Sequence, residues 1–199
     1  MKQQNTAFTL VELLVVIAIF ATLIAVGITA LVNLSNRSQV NTATQDFLST
    51  SKTYIQRARN SVYTNAELDK LKEGWRSTCV LVDEQFPPDA IGFTFDQQEV
   101  SYIKCSRNSS LSADFCCVNA DTEEIIMRND EQTFIQPQDD CNGVVFEYAT
   151  GEVYSFSNED LLSITASKSN CEVRIRHNSI SYFKTVVFNG EKNEVKIAE

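Results

Sequence analysis

A chain of 199 residues has room for one ordinary globular domain and an appendage, but not for two full domains. Its formal net charge of -9 comes without any run of Lys and Arg that would make a nucleic-acid footprint, so nucleic acid is not expected as a partner. The mean hydropathy of -0.16 averages two unlike parts, because nearly all the consecutive apolar sequence lies before Ser35.

The chain opens on a short polar segment, MKQQNTA, which carries Lys2 and meets an apolar run abruptly at Phe8. From Leu13 to Val32 the sequence LLVVIAIFATLIAVGITALV has no charge, and Thr22 and Thr29 are its only mildly polar residues. About 20 apolar residues rising 1.5 Å each cross the roughly 30 Å hydrocarbon core of a bilayer, so a membrane span is predicted on length alone. No polar face recurs at the helical period, as it would in a helix of a soluble domain. Glu12 is the acidic residue at the head of this run. A carboxylate in the middle of a helix in lipid costs roughly 2.5 to 3.5 kcal/mol, somewhat less near the interface. Either Glu12 lies at the headgroup level as a solvated flank, or it answers a positive charge.

The stretch FTLVELLVVIAIFATL resembles the prepilin N-terminal motif of the type IV pilin-like family, matching it in order through Phe8, Thr9, Leu10, Val11, Glu12, Leu13 and Leu14. The resemblance implies that an inner-membrane prepilin peptidase cuts between Ala7 and Phe8 and methylates the new amine, leaving the helix attached. The family normally has Gly before the cut, where this chain has Ala7, which is also small. Glu12 becomes the fifth residue of the processed chain, where the family places its glutamate. The resemblance further implies that this carboxylate neutralises the α-amine of Phe8 on a neighbouring subunit, which favours leaving the bilayer for a filament and helps set the axial register. The expected partners are prepilin peptidase, other pilins or pseudopilins through the N-terminal helix, the inner-membrane assembly platform and membrane lipid. The expected location is the bacterial inner membrane, single-pass with the head outside the cytoplasm, and then the pilus or pseudopilus.

Beyond the span, LVNLSNRSQVNTATQDFLSTSKTYIQRARN keeps a helical rhythm and becomes amphipathic. Val40, Phe47 and Tyr54 are seven apart, with Leu48 and Ile55 beside the latter two, while Asn36, Arg37, Thr42, Gln45, Lys52 and Arg59 fall on the other face. One long helix, half anchor and half packing rib, is predicted; a break between Asn33 and Asn36 is the alternative. Asn60, Ser61 and Asn65 end it, Asn65 caps a short helix through AELDKLK that stops at Gly74, and Trp75 is expected to pack on the head.

From Cys79 onward the pattern turns to period two, in IGFTFD, EVSYIKC, EEIIMR, GVVFEYA, EVYSFS, LSITAS, CEVRIRH, YFKTVVF and EVKIA. These read as antiparallel strands separated by Pro, Gly, Asn and Asp turns, with Asn189 and Gly190 as a short hairpin cue. The predicted fold is α+β: a long N-terminal helix, transmembrane then amphipathic, packed on an antiparallel β-rich head. Its segments are a leader over 1–7, a membrane half over 8–34, an amphipathic half over 35–60, a connection over 61–78 and a head over 79–199. IGFTFD with EVSYIKC, VVFEYATGEVYSFS and ITASKSNCEVRIRHNS resemble the H-type minor pseudopilins of type II secretion and related minor pilins of type IV pili.

All six cysteines, Cys79, Cys105, Cys116, Cys117, Cys141 and Cys171, lie beyond the span, as expected for disulfides in a head folded in an oxidising compartment. Adjacent Cys116 and Cys117 point to different partners. One of the fifteen pairings joins Cys105 to one of them and Cys141 to the other, leaving Cys79 with Cys171. Without a CxxC pair, and with His177 as the single histidine, zinc is not expected and no metal or cofactor is assigned. The acidic segments NADTEE and QPQDDCNG, with Asp121, Glu123, Glu124, Asp139 and Asp140, lack the spacing of a calcium loop and read as solvated surface. No phosphate loop, HExxH or GxSxG occurs, so no catalytic residue is assigned and His177 reads as a strand or turn residue. Arg174 and Arg176 share one face of a strand.

These features are expected of a minor pilin or pseudopilin, a structural subunit. Its rivals are a signal-anchored head that binds a ligand or adhesive target without polymerising, and an exported enzyme cut near Ala30.

Overall fold

A computed structural model describes residues 10–63, 65–74, 87–96, 99–107, 114–119, 125–128, 133–138, 141–157 and 160–198. Helix α1 runs unbroken over Leu10–Arg59, so the polar NLSN stretch changes what the helix faces without interrupting it. Its C-terminal half buries Val40, Phe47, Leu48 and Ile55, the stripe expected from the sequence with Tyr54 half-buried at its edge, and with them Thr44, Ser51 and Ala58, which the sequence pattern did not single out. Thr44, Ser51 and Ala58 are small and seven apart, which lets the sheets approach the helix backbone closely. The two hydroxyls stay satisfied in that apolar setting by donating back to Val40 O at 2.6 Å and Phe47 O at 2.8 Å.

The helix ends in a Schellman arrangement with serine in place of the usual glycine. Ser61 takes φ 48°, its N–H donates to Ala58 O at 3.0 Å, and Val62 N–H donates to Arg57 O at 3.0 Å. The short helix α2, Asn65–Lys72, starts and stops where the sequence placed it, with Gly74 in the left-handed region at φ 83°. Trp75 lies outside the described residues.

Eleven strands are described, all paired antiparallel in two sheets. They are β1 (Ala90–Phe95), β2 (Glu99–Arg107), β3 (Asp114–Asn119), β4 (Ile125–Arg128), β5 (Thr133–Pro137), β6 (Gly143–Glu147), β7 (Val153–Phe156), β8 (Ile164–Thr165), β9 (Asn170–His177), β10 (Phe183–Asn189) and β11 (Glu194–Ile197). The first sheet has the order β7-β6-β1-β2-β3-β8, and the second β11-β10-β9-β5. β4 also pairs with β2, at the Glu99–Ser101 end, while β3 pairs with its Ile103–Arg107 end, so β3 and β4 share one edge of β2 in succession.

Two of these strands escaped the sequence reading. β3 carries Phe115, Cys116 and Cys117, buried in succession on both faces, so it lacks the alternation that marks a half-buried strand. β5 is short and ends on Pro137. Its Thr133 and Ile135 face inward and Gln136 outward, an alternation too brief to stand out.

The main core gathers Val40, Phe47, Leu48, Ile55 and Ala58 of α1 with Phe93, Tyr102 and Phe146 of the first sheet and Val173, Ile175 and Phe188 of the second. A smaller core on the far face of the first sheet holds Ile103, Cys105, Phe115, Cys117, Val145 and Tyr154 under Ile164 and Ala166. The result is α+β with a pilin-like layout: one long helix packed along antiparallel sheets.

Cys105 and Cys117 sit opposite each other on β2 and β3 and form a disulfide, one of the two partners expected for Cys105. The pairing of Cys141 is corrected: it bonds Cys171, so neither residue has the partner assigned from sequence. The reason is spatial. Cys141 enters β6 of the first sheet and Cys171 lies on β9 of the second, and both belong to the core between the sheets, a proximity set by folding. Cys116 is disulfide-bonded as well, and Cys79 lies outside the described residues.

Asn189 and Gly190 do mark a hairpin, but of a longer kind than the tight turn that dipeptide favours. The loop runs from Gly190 to Asn193, and Asn193, at φ 51°, takes the left-handed position. Gly190 is needed for space, since a Cβ there would meet the Lys168 backbone at 2.6 Å.

Candidate functional site

The N-terminal half of α1 leaves the head as a free apolar rod. Every large hydrophobic residue from Leu10 to Leu34 is exposed, between 42 and 78 %. An 18-residue window reaches a mean hydropathy of 2.8 with 0 % of it buried, the length and composition of a membrane span without the packing of a core helix. Its two hydroxyls turn inward: Thr22 Oγ1 donates to Ile19 O at 2.8 Å and Thr29 Oγ1 to Val26 O at 2.9 Å. Such internal satisfaction is what an environment without water demands. So large an exposed apolar surface has to be covered by lipid or by other helices.

Glu12 lies in the first turn of this rod, where its carboxylate also favours the positive end of the helix dipole. Ala7 and Phe8 lie outside the described residues.

At its other end α1 is clasped by the head. Ala149 N–H donates to Ala58 O at 3.0 Å, and Arg59 Nη2 donates to Asn193 O at 2.9 Å. Gly151, at φ 65°, lets Arg59 pass, because a Cβ there would stand 2.1 Å from Arg59 Cγ. Asn193 Oδ1 accepts from Val153 N–H at 3.0 Å, so one loop residue ties the helix end to both sheets. The helix is thereby held to the head along its packed half and at its last turn.

Sequence reasoning missed a buried ion pair that holds α2 to the first sheet. Lys104 Nζ donates to Glu67 Oε1 at 2.7 Å, with the Glu67 side chain fully buried. The partners are 37 residues apart, so no short-range pattern signals them. Beside them Tyr148 stacks on Tyr63 at 4.8 Å between centroids, and burial pushes its phenol well above the usual range.

Other residues singled out from the sequence are scattered. His177 closes β9, 4 % exposed, with Nδ1 accepting from Ser179 N–H at 3.1 Å. Arg174 and Arg176 share the outer face of β9, one half-buried and one exposed. Among the described residues no three His, Cys, Asp or Glu side chains form a group able to hold a metal ion. Asp121, Glu123, Glu124, Asp139 and Asp140 lie outside the described residues.

With this geometry in place, comparison with known proteins adds one match. Residues 2–28 match the prokaryotic N-terminal methylation motif, which is typical of type IV pilin-like proteins, and the matched stretch includes Ala7, Phe8 and Glu12. No curated protein and no solved structure matches the chain. A membrane-anchored pilin fits both that motif and the exposed apolar half of α1.

Proposed function

We propose that this chain, carrying the N-terminal methylation motif, is a minor pilin or pseudopilin that waits in the bacterial inner membrane and joins a type IV pilus or type II secretion pseudopilus through α1. The observation that carries the reading is the continuity of α1: an apolar half with no cover of its own passes without a break into a half buried between two sheets. Prepilin peptidase cuts between Ala7 and Phe8 and methylates the new amine. That cation then meets the Glu12 carboxylate of a neighbouring subunit. The favourable pairing exists only in the assembly, where the low-dielectric helix bundle makes it strong. The work is assembly, and the head is displayed outside the cytoplasm.

Mass spectrometry of the mature N-terminus tests the first step. A methylated Phe8 is the expected start; Met1 points to an uncut anchor, and Leu31 to a secreted head. Glu12→Leu tests the second: the chain still inserts but is absent from sheared filaments. Normal incorporation of that variant refutes the role assigned to the carboxylate.

A further inference from the structure

The sheet made by β5, β9, β10 and β11 runs along α1 with a defined polarity. Arg59, at the helix end, holds Asn193 in the β10–β11 loop, while Tyr182, before β10, donates from its hydroxyl to Asn41 Oδ1 at 2.9 Å. The helix rises about 27 Å between Asn41 and Arg59. The Tyr182 end of the sheet is therefore the end nearest the apolar half of α1. Val40 is fully buried by the head and Leu34 is 67 % exposed, and these two positions are about 9 Å apart along the axis. The lower rim of the head thus stands within about two helical turns of the apolar rod.

That rim is basic and aromatic. Arg37 Cζ lies 5.4 Å from the centre of the Tyr182 ring, Arg174 Cζ 5.1 Å from that of Phe183, and Lys184 Nζ 6.0 Å from that of Tyr182. Arg176, opposite Phe183 in the β9–β10 register, has its Cζ 4.3 Å from the Phe134 ring centre on its other side. Phe183 is 47 % exposed. In a chain of net charge -9, none of Arg37, Arg174, Arg176 and Lys184 makes an ion pair among the described residues.

We propose that this rim docks on anionic phospholipid headgroups while α1 is in the bilayer. The inference rests on the reading of α1 as a membrane anchor. Headgroup layers extend about 5 to 8 Å beyond each side of the hydrocarbon core. Along α1, Arg37 stands about 8 Å and Asn41, which holds Tyr182, about 14 Å beyond Val32, so the lowest cation reaches that layer and the long side chains above it face its surface. Aromatic side chains concentrate at that level, and cations there are drawn to anionic lipid. An acidic head would otherwise be repelled by the same surface. Contact through the rim holds it upright on the membrane and leaves the rest of the head in water.

The test uses the full chain in lipid nanodiscs. With no free cysteine among the described residues, a nitroxide can be placed at Ser181→Cys on the rim, or at Glu191→Cys on the distal hairpin as a control. Collision with a water-soluble relaxing agent is read by electron paramagnetic resonance. Discs of phosphatidylcholine containing phosphatidylglycerol should shield the rim label relative to phosphatidylcholine alone, high salt should reverse this, and the hairpin label should not respond. Arg174→Gln with Arg176→Gln should lower the docked-to-free ratio about 25-fold, at roughly five-fold per cation. An unchanged rim label in a chain that resists alkaline carbonate extraction overturns the contact alone. Extraction of the chain overturns the anchor and the contact with it. Shielding that follows the number of chains per disc and ignores lipid charge, or that requires an added oligonucleotide, also overturns the proposal by assigning the rim to protein or nucleic acid.

Discussion

Truncating Phe47 should loosen both sheets from the helix at once. Its ring is 2 % exposed and stands 6.4 Å from Phe93 and 6.3 Å from Phe95 of the first sheet, and 6.0 Å from Phe188 of the second. Phe47→Ala removes a buried aromatic ring and leaves a cavity that the paired strands cannot close, a loss of about 3 to 5 kcal/mol. Against the 5 to 15 kcal/mol typical of a whole domain, that is at least about a fifth of the stability and, in a marginal domain, most of it. Phe47→Leu keeps part of the volume and should cost about half as much. Urea unfolding of the full chain in detergent, followed by near-ultraviolet circular dichroism with the disulfides intact, reads both variants. The midpoint should fall without a change of slope. Leu23→Ala, at a position 63 % exposed, should leave the midpoint unchanged. A loss below about 1 kcal/mol for Phe47→Ala, or an equal loss for Leu23→Ala, would refute the view that one face of α1 joins the two sheets.

The two paired disulfides should differ in worth. Cys141 and Cys171 are 30 residues apart and Cys105 and Cys117 are 12 apart, so chain entropy assigns about 3.6 and about 2.8 kcal/mol; the double serine variants should rank in that order by urea midpoint. Glu152 accepts from Lys168 Nζ at 2.6 Å and from the Tyr154 hydroxyl at 2.5 Å, with Lys168 the larger cause of its lowered pKa. A depressed carboxylate contributes stability above its unfolded pKa, about 4.3, and that contribution is lost as pH falls through the folded value. Glu152→Gln should therefore flatten the acid limb of melting temperature against pH, by no more than about 1 kcal/mol at a part-exposed pair. A steeper limb in the variant refutes the assignment. The same hydrogen bond, after burial, pushes the Tyr154 phenol up to about 12.

What could be read from sequence followed the range of each interaction. The apolar half of α1 was legible as an uncharged run and its packing stripe because helical neighbours are three, four and seven residues apart, and Val40, Phe47, Leu48 and Ile55 proved to be residues the head covers. Nine strands were placed by alternation or by turns at their ends. β3 was invisible because Cys116 and Cys117 are buried on opposite faces, and β5 because it is brief and ends in proline. Contacts made only after the sheets close leave no local trace: Cys141 with Cys171, Lys104 with Glu67, and Arg59 with Asn193. Arg174 and Arg176 could be put on one face from sequence, but their place on the lower rim required Tyr182 to be seen against Asn41.

The unbroken helix links the two ends of the proposed mechanism. Glu12 and Val40 lie about 42 Å apart along α1, with no break or change of helix type between them. An axial register fixed at Glu12 by a neighbour's amine is therefore carried to the head with little slack. The grip at the top, Arg59 on Asn193 with Ala149 on Ala58, keeps the head from sliding along the helix in response. A flexible joint at Asn33–Asn36 would have let Glu12 choose its partner without deciding where the head goes. Continuity removes that freedom, so in the proposed assembly the contact made at Glu12 would also set the height at which each head is displayed.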